Sequence, residues 1–407
     1  MVCRNYTLGK LLKLKDKRII KVFVGIRRCG KSTVMEQFRD VLLKDGVARE
    51  QITFMNFEDA EFSAIKKSDD LFSAVNARLV PEKMNYVFLD EVQNIENFQK
   101  ALDFLFVKKN VDLYVTGSNA FLLSGELATL LSGRYVEMRM LPLSFSEFKE
   151  LKNEVEGAYL SNEDLYRDFI TFGSLPYTVY LNRDREIIHD YLGGVYSSVI
   201  LKDVLQKNKT LNANTLERIL KFLMDSTGSE ISMRNVANAL TSAGFKISAP
   251  TVLDYVTALE NCFIVYKCPR FDIKGKQFLQ TLEKYYTVDL GIKNYLLGFK
   301  QGDMGHNFEN VIYFELLFRG YKVATGKIDA TEIDFVATKE NETLYIQVAL
   351  TVRDEETLQR ELLPLKKIRD NYEKILLTLD NDPPTDHNGI KQIYALDFLK
   401  GWRIENE

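Results

Sequence analysis

Short, mainly apolar runs and stretches of helical periodicity alternate along the first 150 residues. Residues 19–24 form a run suited to a buried strand, and 32–42 places Val34, Met35, Phe38, Val41 and Leu42 at the three-and-four spacing of an amphipathic helix. Further runs at 51–57, 86–89, 111–117 and 135–140 have the length of strands. Strands interleaved with helices predict an α/β domain on a parallel sheet over 1–150. A long helical run over 185–209, rich in Ile, Leu, Val and Tyr, lies in an expected helical linker region at 151–210.

Beyond it the pattern changes. Helical spacing at 216–224, 232–240 and 248–259, the second capped by Ser232 and the third by Ser248 with Pro250 in its first turn, is followed by strands at 264–268 and 283–288 around the turn formers Lys274, Gly275 and Lys276. That order predicts a winged-helix module at 211–290. From residue 305 a helix, three strands, a helix and a strand predict a last α/β module at 300–407.

Composition narrows the partners. A chain of 407 residues with 46% hydrophobic content can bury two or three cores. The net charge of −3 excludes a global polyelectrolyte attraction to nucleic acid, so DNA contact requires a local patch. Between Lys202 and Tyr285 there are 12 basic and 8 acidic residues, but residues 250–259 of the third winged-helix helix carry no Lys or Arg. The winged helix therefore either touches DNA through Lys246, Lys267, Arg270, Lys274 and Lys276 or serves as a structural or subunit-docking element. Four cysteines without a C-x-x-C pair, and three histidines, argue against a structural zinc. The first residues lack the pattern of a secretory leader and no apolar stretch approaches about 20 residues, which predicts a cytoplasmic protein without a membrane partner.

The chemistry is concentrated at the ends of the strand runs. Gly25, Ile26, Arg27, Arg28, Cys29, Gly30, Lys31, Ser32 and Thr33 fit G-x-x-x-x-G-K-[ST] between a strand and a helix, the context in which backbone N–H groups curl around a triphosphate. In that pattern Lys31 reaches the outer phosphates of the nucleotide and Ser32 ligates Mg²⁺. Asp90 and Glu91 end the run at 86–89, a Walker B arrangement in which Asp90 holds the metal and Glu91 polarises the attacking water. The run at 51–57 reads as an extra strand inserted between the loop strand and the Asp90 strand. Ser118 and Asn119, after the run at 111–117, are either γ-phosphate sensors or ordinary strand terminators. Arg134 is either a transition-state arginine, in the chain or across subunits, or a surface ion-pair partner.

With Gly25 to Thr33, Leu89-Asp90-Glu91-Val92-Gln93, Thr116-Gly117-Ser118, Leu131 to Arg134, residues 141–148 and Phe172-Gly173-Ser174-Leu175-Pro176, the chain resembles bacterial and archaeal AAA-type P-loop ATPases that carry a C-terminal domain of unknown function. In that family the 172–176 segment is a glycine-glycine-x-proline turn, here with Ser174 for the second glycine. The resemblance implies ATP binding with Mg²⁺-dependent hydrolysis and a 185–209 helix that links the ATPase to the winged helix. Residues 300–407 resemble the restriction-endonuclease-like fold. Active members use a helix Glu, a strand-ending Asp and a Glu-x-Lys pair; Glu309 and Asp334 match, while Gln347 and Ala349 stand where the Glu and Lys belong. The resemblance therefore implies an inactive module kept for protein or nucleic-acid binding. Three functions follow: an ATPase that switches affinity for a protein partner or further copies of itself; a nucleotide-sensing DNA-binding or regulatory scaffold with little hydrolysis; and, disfavoured by Ala349, an ATP-gated nuclease.

Overall fold

The structure, a computed structural model, describes residues 4–117, 133–157, 160–205, 208 and 210–401. Two compact units are present, Met1–Pro142 with Asn261–Phe263, and Leu143–Glu260 with Ile264–Glu407.

The first unit runs α1 (Asn5–Leu14), β1 (Ile20–Val24), α2 (Lys31–Lys44), β2 (Ile52–Asn56), α3 (Ser68–Asn76), β3 (Asn85–Asp90), α4 (Phe98–Val107), β4 (Val111–Gly117) and β5 (Tyr135–Arg139). Its five strands are parallel in the order β2-β3-β4-β1-β5. This corrects one expectation. The strand inserted between β1 and β3 is β4, whereas β2, the 51–57 run, lies at the sheet edge. Burial explains the exchange: every residue of β1 and β3 is buried, and all but the first of β4, while β2 buries only Thr53 and Met55 and leaves alternate residues half-buried. Phe38 of α2 packs on the sheet against Tyr114, at a centroid separation of 5.3 Å, and Tyr114 stacks on Phe88 at 4.7 Å. These rings fix the helix that follows the glycine loop.

The second unit opens with α5 (Phe145–Glu156), whose capping box pairs the Ser144 hydroxyl with Glu147 N–H at 3.2 Å and the Glu147 carboxylate with Ser144 N–H at 3.0 Å. It continues α6 (Asn162–Phe172), α7 (Arg185–Tyr196), α8 (Ala213–Asp225), β6 (Glu230–Ile231), α9 (Met233–Ser242), α10 (Ala249–Asn261), β7 (Val265–Asp272), β8 (Gln277–Thr287), α11 (Leu290–Leu297), α12 (Met304–Phe318), β9 (Lys322–Ile328), β10 (Thr331–Lys339), β11 (Glu342–Ala349), α13 (Glu355–Lys366), β12 (Glu373–Thr378), β13 (Thr385–Asp386), β14 (Ile390–Tyr394) and α14 (Ala395–Leu399). The helix expected over 185–209 instead passes from α7 into π-helical turns at Ser197–Val204.

The β7–β8 hairpin is longer than the sequence suggests, and it is not a free-standing wing. Arg270, Phe271 and Asp272 of β7 pair in parallel with Thr325, Gly326 and Lys327 of β9, giving one nine-stranded sheet, β13-β14-β12-β11-β10-β9-β7-β8-β6. The segments expected as separate modules at 211–290 and 300–407 thus share a single sheet.

The Phe172–Pro176 turn is clamped from a distance. Gly173 has φ +84°, and a Cβ there would lie 2.4 Å from Asp289 Oδ1. The buried Asp289 carboxylate accepts Ser174 N–H at 2.6 Å and Ser174 Oγ–H at 3.0 Å, and caps α11 through Ile292 N–H at 2.9 Å. Gly291 allows an equally close approach, since a Cβ would lie 2.4 Å from the Phe172 carbonyl oxygen.

Candidate nucleotide site

The loop between β1 and α2 is shaped by glycine and held from beneath. Gly25 has φ +152°, and a Cβ on it would meet the Met140 carbonyl oxygen at 2.1 Å, so only glycine fits beside β5. Gly30 takes φ +100° as the N-cap of α2 and no side chain caps that helix end, which leaves its first N–H groups directed at the loop. Ile26 and Cys29 are fully buried under the loop, while Arg28, at φ 64°, is exposed. Arg27 reaches Glu58 at 3.5 Å, and Thr33 is half-buried in the first turn of α2. Arg4, just before α1, is buried and donates through Nη2 to the Cys29 carbonyl at 2.6 Å and through Nη1 to the Pro142 carbonyl at 3.1 Å. Sequence reasoning missed Arg4, because no local pattern links residue 4 to residue 29.

Lys31 is folded back, its Nζ donating to the carbonyls of Gly25 at 2.9 Å and Ile26 at 3.2 Å. Asp90 is fully buried at the carboxyl end of β3. Burial raises its pKa above the usual carboxylate range, opposed by the Ser32 and Thr116 hydroxyls and the Lys31 charge and reinforced by Glu91. Lys31, Ser32, Asp90 and Glu91, from two elements separated by β4, therefore converge. Thr116 of β4 joins them: its hydroxyl donates to Asp90 Oδ1 and accepts the Glu91 N–H at 2.9 Å. A hydroxyl residue at the carboxyl end of a strand run, directly after Leu113-Tyr114-Val115, was the available signal for Thr116.

Asp90 Oδ2 is buried and has no hydrogen-bond partner among the described residues. An unpaired buried carboxylate oxygen beside a serine hydroxyl is a hard-oxygen donor set, which fits Mg²⁺. Glu91, 9% exposed, turns the chain in the left-handed region at φ 53°, and its carboxylate accepts from Gln93 Nε2.

Ser118 and Asn119 lie outside the described residues. Arg134 sits at the amino-terminal end of β5, whereas the loop leaves the carboxyl end of the parallel strand β1. Its side chain pairs with Asp103 and lies 5.5 Å from the Phe106 ring centroid. Of the readings left open for Arg134, the structure displays the surface ion pair and does not bring it to the loop within the chain.

In the second unit, Lys284 of β8 does what no local pattern foretold. Its Nζ lies 2.8 Å from Glu309, 2.6 Å from Glu332 and 3.9 Å from Asp334, and the side chain is 4% exposed. Asp334 Oδ2 also accepts Val348 N–H at 2.8 Å, and Gln347 Nε2 donates to Glu361 at 3.0 Å. Among the described residues, no group of three or more His, Cys, Asp and Glu side chains is arranged to hold a metal ion. No described helix is long and apolar enough to cross a membrane.

Residues 17–149 match an AAA domain, and residues 163–303 match a domain of unknown function, DUF8612. An uncharacterized protein of Haemophilus influenzae is 38% identical over 400 residues, spanning 98% of each chain. The uncharacterized protein MJ1544 of Methanocaldococcus jannaschii is 30% identical over 407 residues, 94% of this chain and 86% of its own. Among solved structures, the Walker-type ATPase PABY2304 of Pyrococcus abyssi is similar with a TM-score of 0.52 over 73% of this chain and 96% of that one; at 13% identity the likeness is one of fold. The chain therefore belongs to a family of AAA-domain proteins with relatives along nearly its whole length in Haemophilus influenzae and Methanocaldococcus jannaschii.

Proposed function

We propose that this chain binds ATP with Mg²⁺ in the loop after β1 and hydrolyses it, and that the nucleotide state alters the affinity of the second unit for a partner. The observation that carries the reading is the buried, unpartnered Asp90 Oδ2 beside Ser32 and Lys31. Lys31 exchanges its two carbonyl acceptors for phosphate oxygens, and the α2 amino terminus receives the remaining phosphate charge. Ser32 and Asp90 would hold Mg²⁺, which supplies positive charge to the β- and γ-phosphates. Glu91 takes a proton from water as the new O–P bond forms and the bond to the ADP oxygen breaks.

For the winged-helix segment the structural or docking role is favoured over DNA contact. Lys267, Arg270 and Lys274 already face Glu283 at 2.8 Å, Glu230 at 2.9 Å and Asp329 at 2.7 Å. For the restriction-endonuclease-like segment we retain the inactive reading, since Ala349 offers no amine and the Lys284 ammonium already occupies the space among the carboxylates.

The test compares ATP turnover and nucleotide binding in three proteins. Glu91→Gln is expected to bind ATP normally and to lose roughly 10²–10⁴-fold in turnover. Lys31→Ala is expected to weaken binding itself. Equal turnover by wild type and Glu91→Gln would remove Glu91 from the reaction, and a wild type that neither binds nor hydrolyses ATP would end the reading.

A further inference from the structure

We propose that Gln93 is a positioning residue for hydrolysis: its amide fixes the Glu91 carboxylate, and its carbonyl oxygen accepts a hydrogen bond from the O–H that the attacking water keeps. The inference rests on the ATPase reading above. It starts from the backbone. Glu91, directly after β3, lies in the left-handed region at φ 53° and ψ 45°, and the next three residues form a single tight turn at Val92–Asn94. Asn94 N–H closes on the Glu91 carbonyl at 3.1 Å and Ile95 N–H on the Val92 carbonyl at 3.1 Å. Residues two apart on a strand share a face but stand roughly 7 Å apart, whereas this reversal of the chain brings the Gln93 amide onto the Glu91 carboxylate. A glutamate in that conformation is strained, and it persists because its N–H is tied to Thr116 Oγ1 at 2.9 Å, the same hydroxyl that donates to Asp90.

The amide is thereby divided between two tasks. Nε2 donates to Glu91 Oε2, which holds that oxygen and leaves Oε1 of the carboxylate as the acceptor for a water proton. Gln93 Oε1 is buried and has no hydrogen-bond partner among the described residues. A carbonyl oxygen kept from solvent without a donor is uncommon in a folded protein, and it calls for a donor that arrives later. Water is the donor this site must admit. It carries two O–H groups; one proton passes to Glu91, and the other stays on the oxygen that becomes part of phosphate. Two acceptors side by side, one basic and one neutral, orient the lone pair of that oxygen away from both of them. A residue serving only to brace the turn needs the Nε2 contact and has no use for a vacant acceptor.

The experiment uses the full chain, with single-turnover and steady-state ATP hydrolysis, fluorescent-nucleotide titration and pH–rate profiles for wild type, Glu91→Gln, Gln93→Ala and Gln93→Glu. Gln93→Ala is expected to lower kcat roughly 10–100-fold with nucleotide affinity changed by less than about twofold. Gln93→Glu places a second carboxylate against Glu91, so the acid limb of its profile is expected to move to higher pH. Wild-type kcat in Gln93→Ala while Glu91→Gln is impaired would overturn the role of Gln93 and leave the ATPase reading intact. An unshifted limb in a folded, active Gln93→Glu would overturn it as well, and that variant decides the matter should Gln93→Ala fail to fold. Full turnover by Glu91→Gln would instead remove the reading on which the proposal rests.

Discussion

At the scale of single residues, the candidate nucleotide site gathers groups whose chemistry suits an anionic ligand and a hard cation. Lys31 donates to two loop carbonyls, and Asp90 is buried with one oxygen unpaired. Burial raises the Asp90 carboxyl, so the stability it lends the nucleotide-free protein is complete below the ordinary carboxylate range and is lost as pH rises through the raised value. Asp90→Asn removes that cost at neutral pH. We expect the variant to be more stable without nucleotide by about 1 kcal/mol, with a smaller decline in stability from pH 5 to 8, while its nucleotide binding no longer strengthens with Mg²⁺. Chemical denaturation across that range, with nucleotide titrations with and without Mg²⁺, checks it; a destabilised variant that keeps its Mg²⁺ response contradicts it.

At the scale of elements, close approach of backbone decides which residues are allowed. The carboxyl end of α6 and the amino end of α11 meet through Gly173, Ser174 and Gly291, with Asp289 bonded to both sides. Gly173→Ala would combine left-handed backbone strain with a contact of 2.4 Å on a buried carboxylate. A loss of about 3 kcal/mol or more is expected from urea unfolding. Ser174→Ala, which keeps the N–H bond to Asp289 and removes only the hydroxyl bond, should cost no more than about 1–2 kcal/mol. Equal effects would mean that the turn is not held by this clamp.

At the scale of the molecule, the hairpin β7–β8 belongs to the same sheet as β9 to β14, and Lys284 stitches β8 to α12 and β10. Burial would lower the Lys284 pKa, but Glu309, Asp334 and Glu332 together raise it. Asp334 is itself pushed well above the carboxylate range by burial and by Glu309, and Lys284 opposes that shift. Lys284→Met would leave the carboxylates uncompensated, at a cost of about 3 kcal/mol. Protonation relieves that repulsion, so the deficit should be larger at pH 8 than at pH 6 when unfolding is followed by circular dichroism. A deficit independent of pH would show that Lys284 acts through packing alone.

The sequence by itself determined the glycine loop, the β1–α2 junction and the acidic end of β3, because a strand, a phosphate loop and a helix are written within a few consecutive residues. It also announced the second unit's helices at 216–224, 232–240 and 248–259 and the run of helix and strands from residue 305, although not the joining of the strands into one sheet. Only the tertiary structure decided that β4 rather than β2 separates the loop strand from Asp90, because burial on both faces is a property of the assembled sheet. It alone brought Arg4 to Cys29, Thr116 between Asp90 and Glu91, Asp289 to Ser174 and Lys284 to Glu309. Each of these contacts joins side chains far apart in the chain, whose meeting depends on packing that no local spacing records.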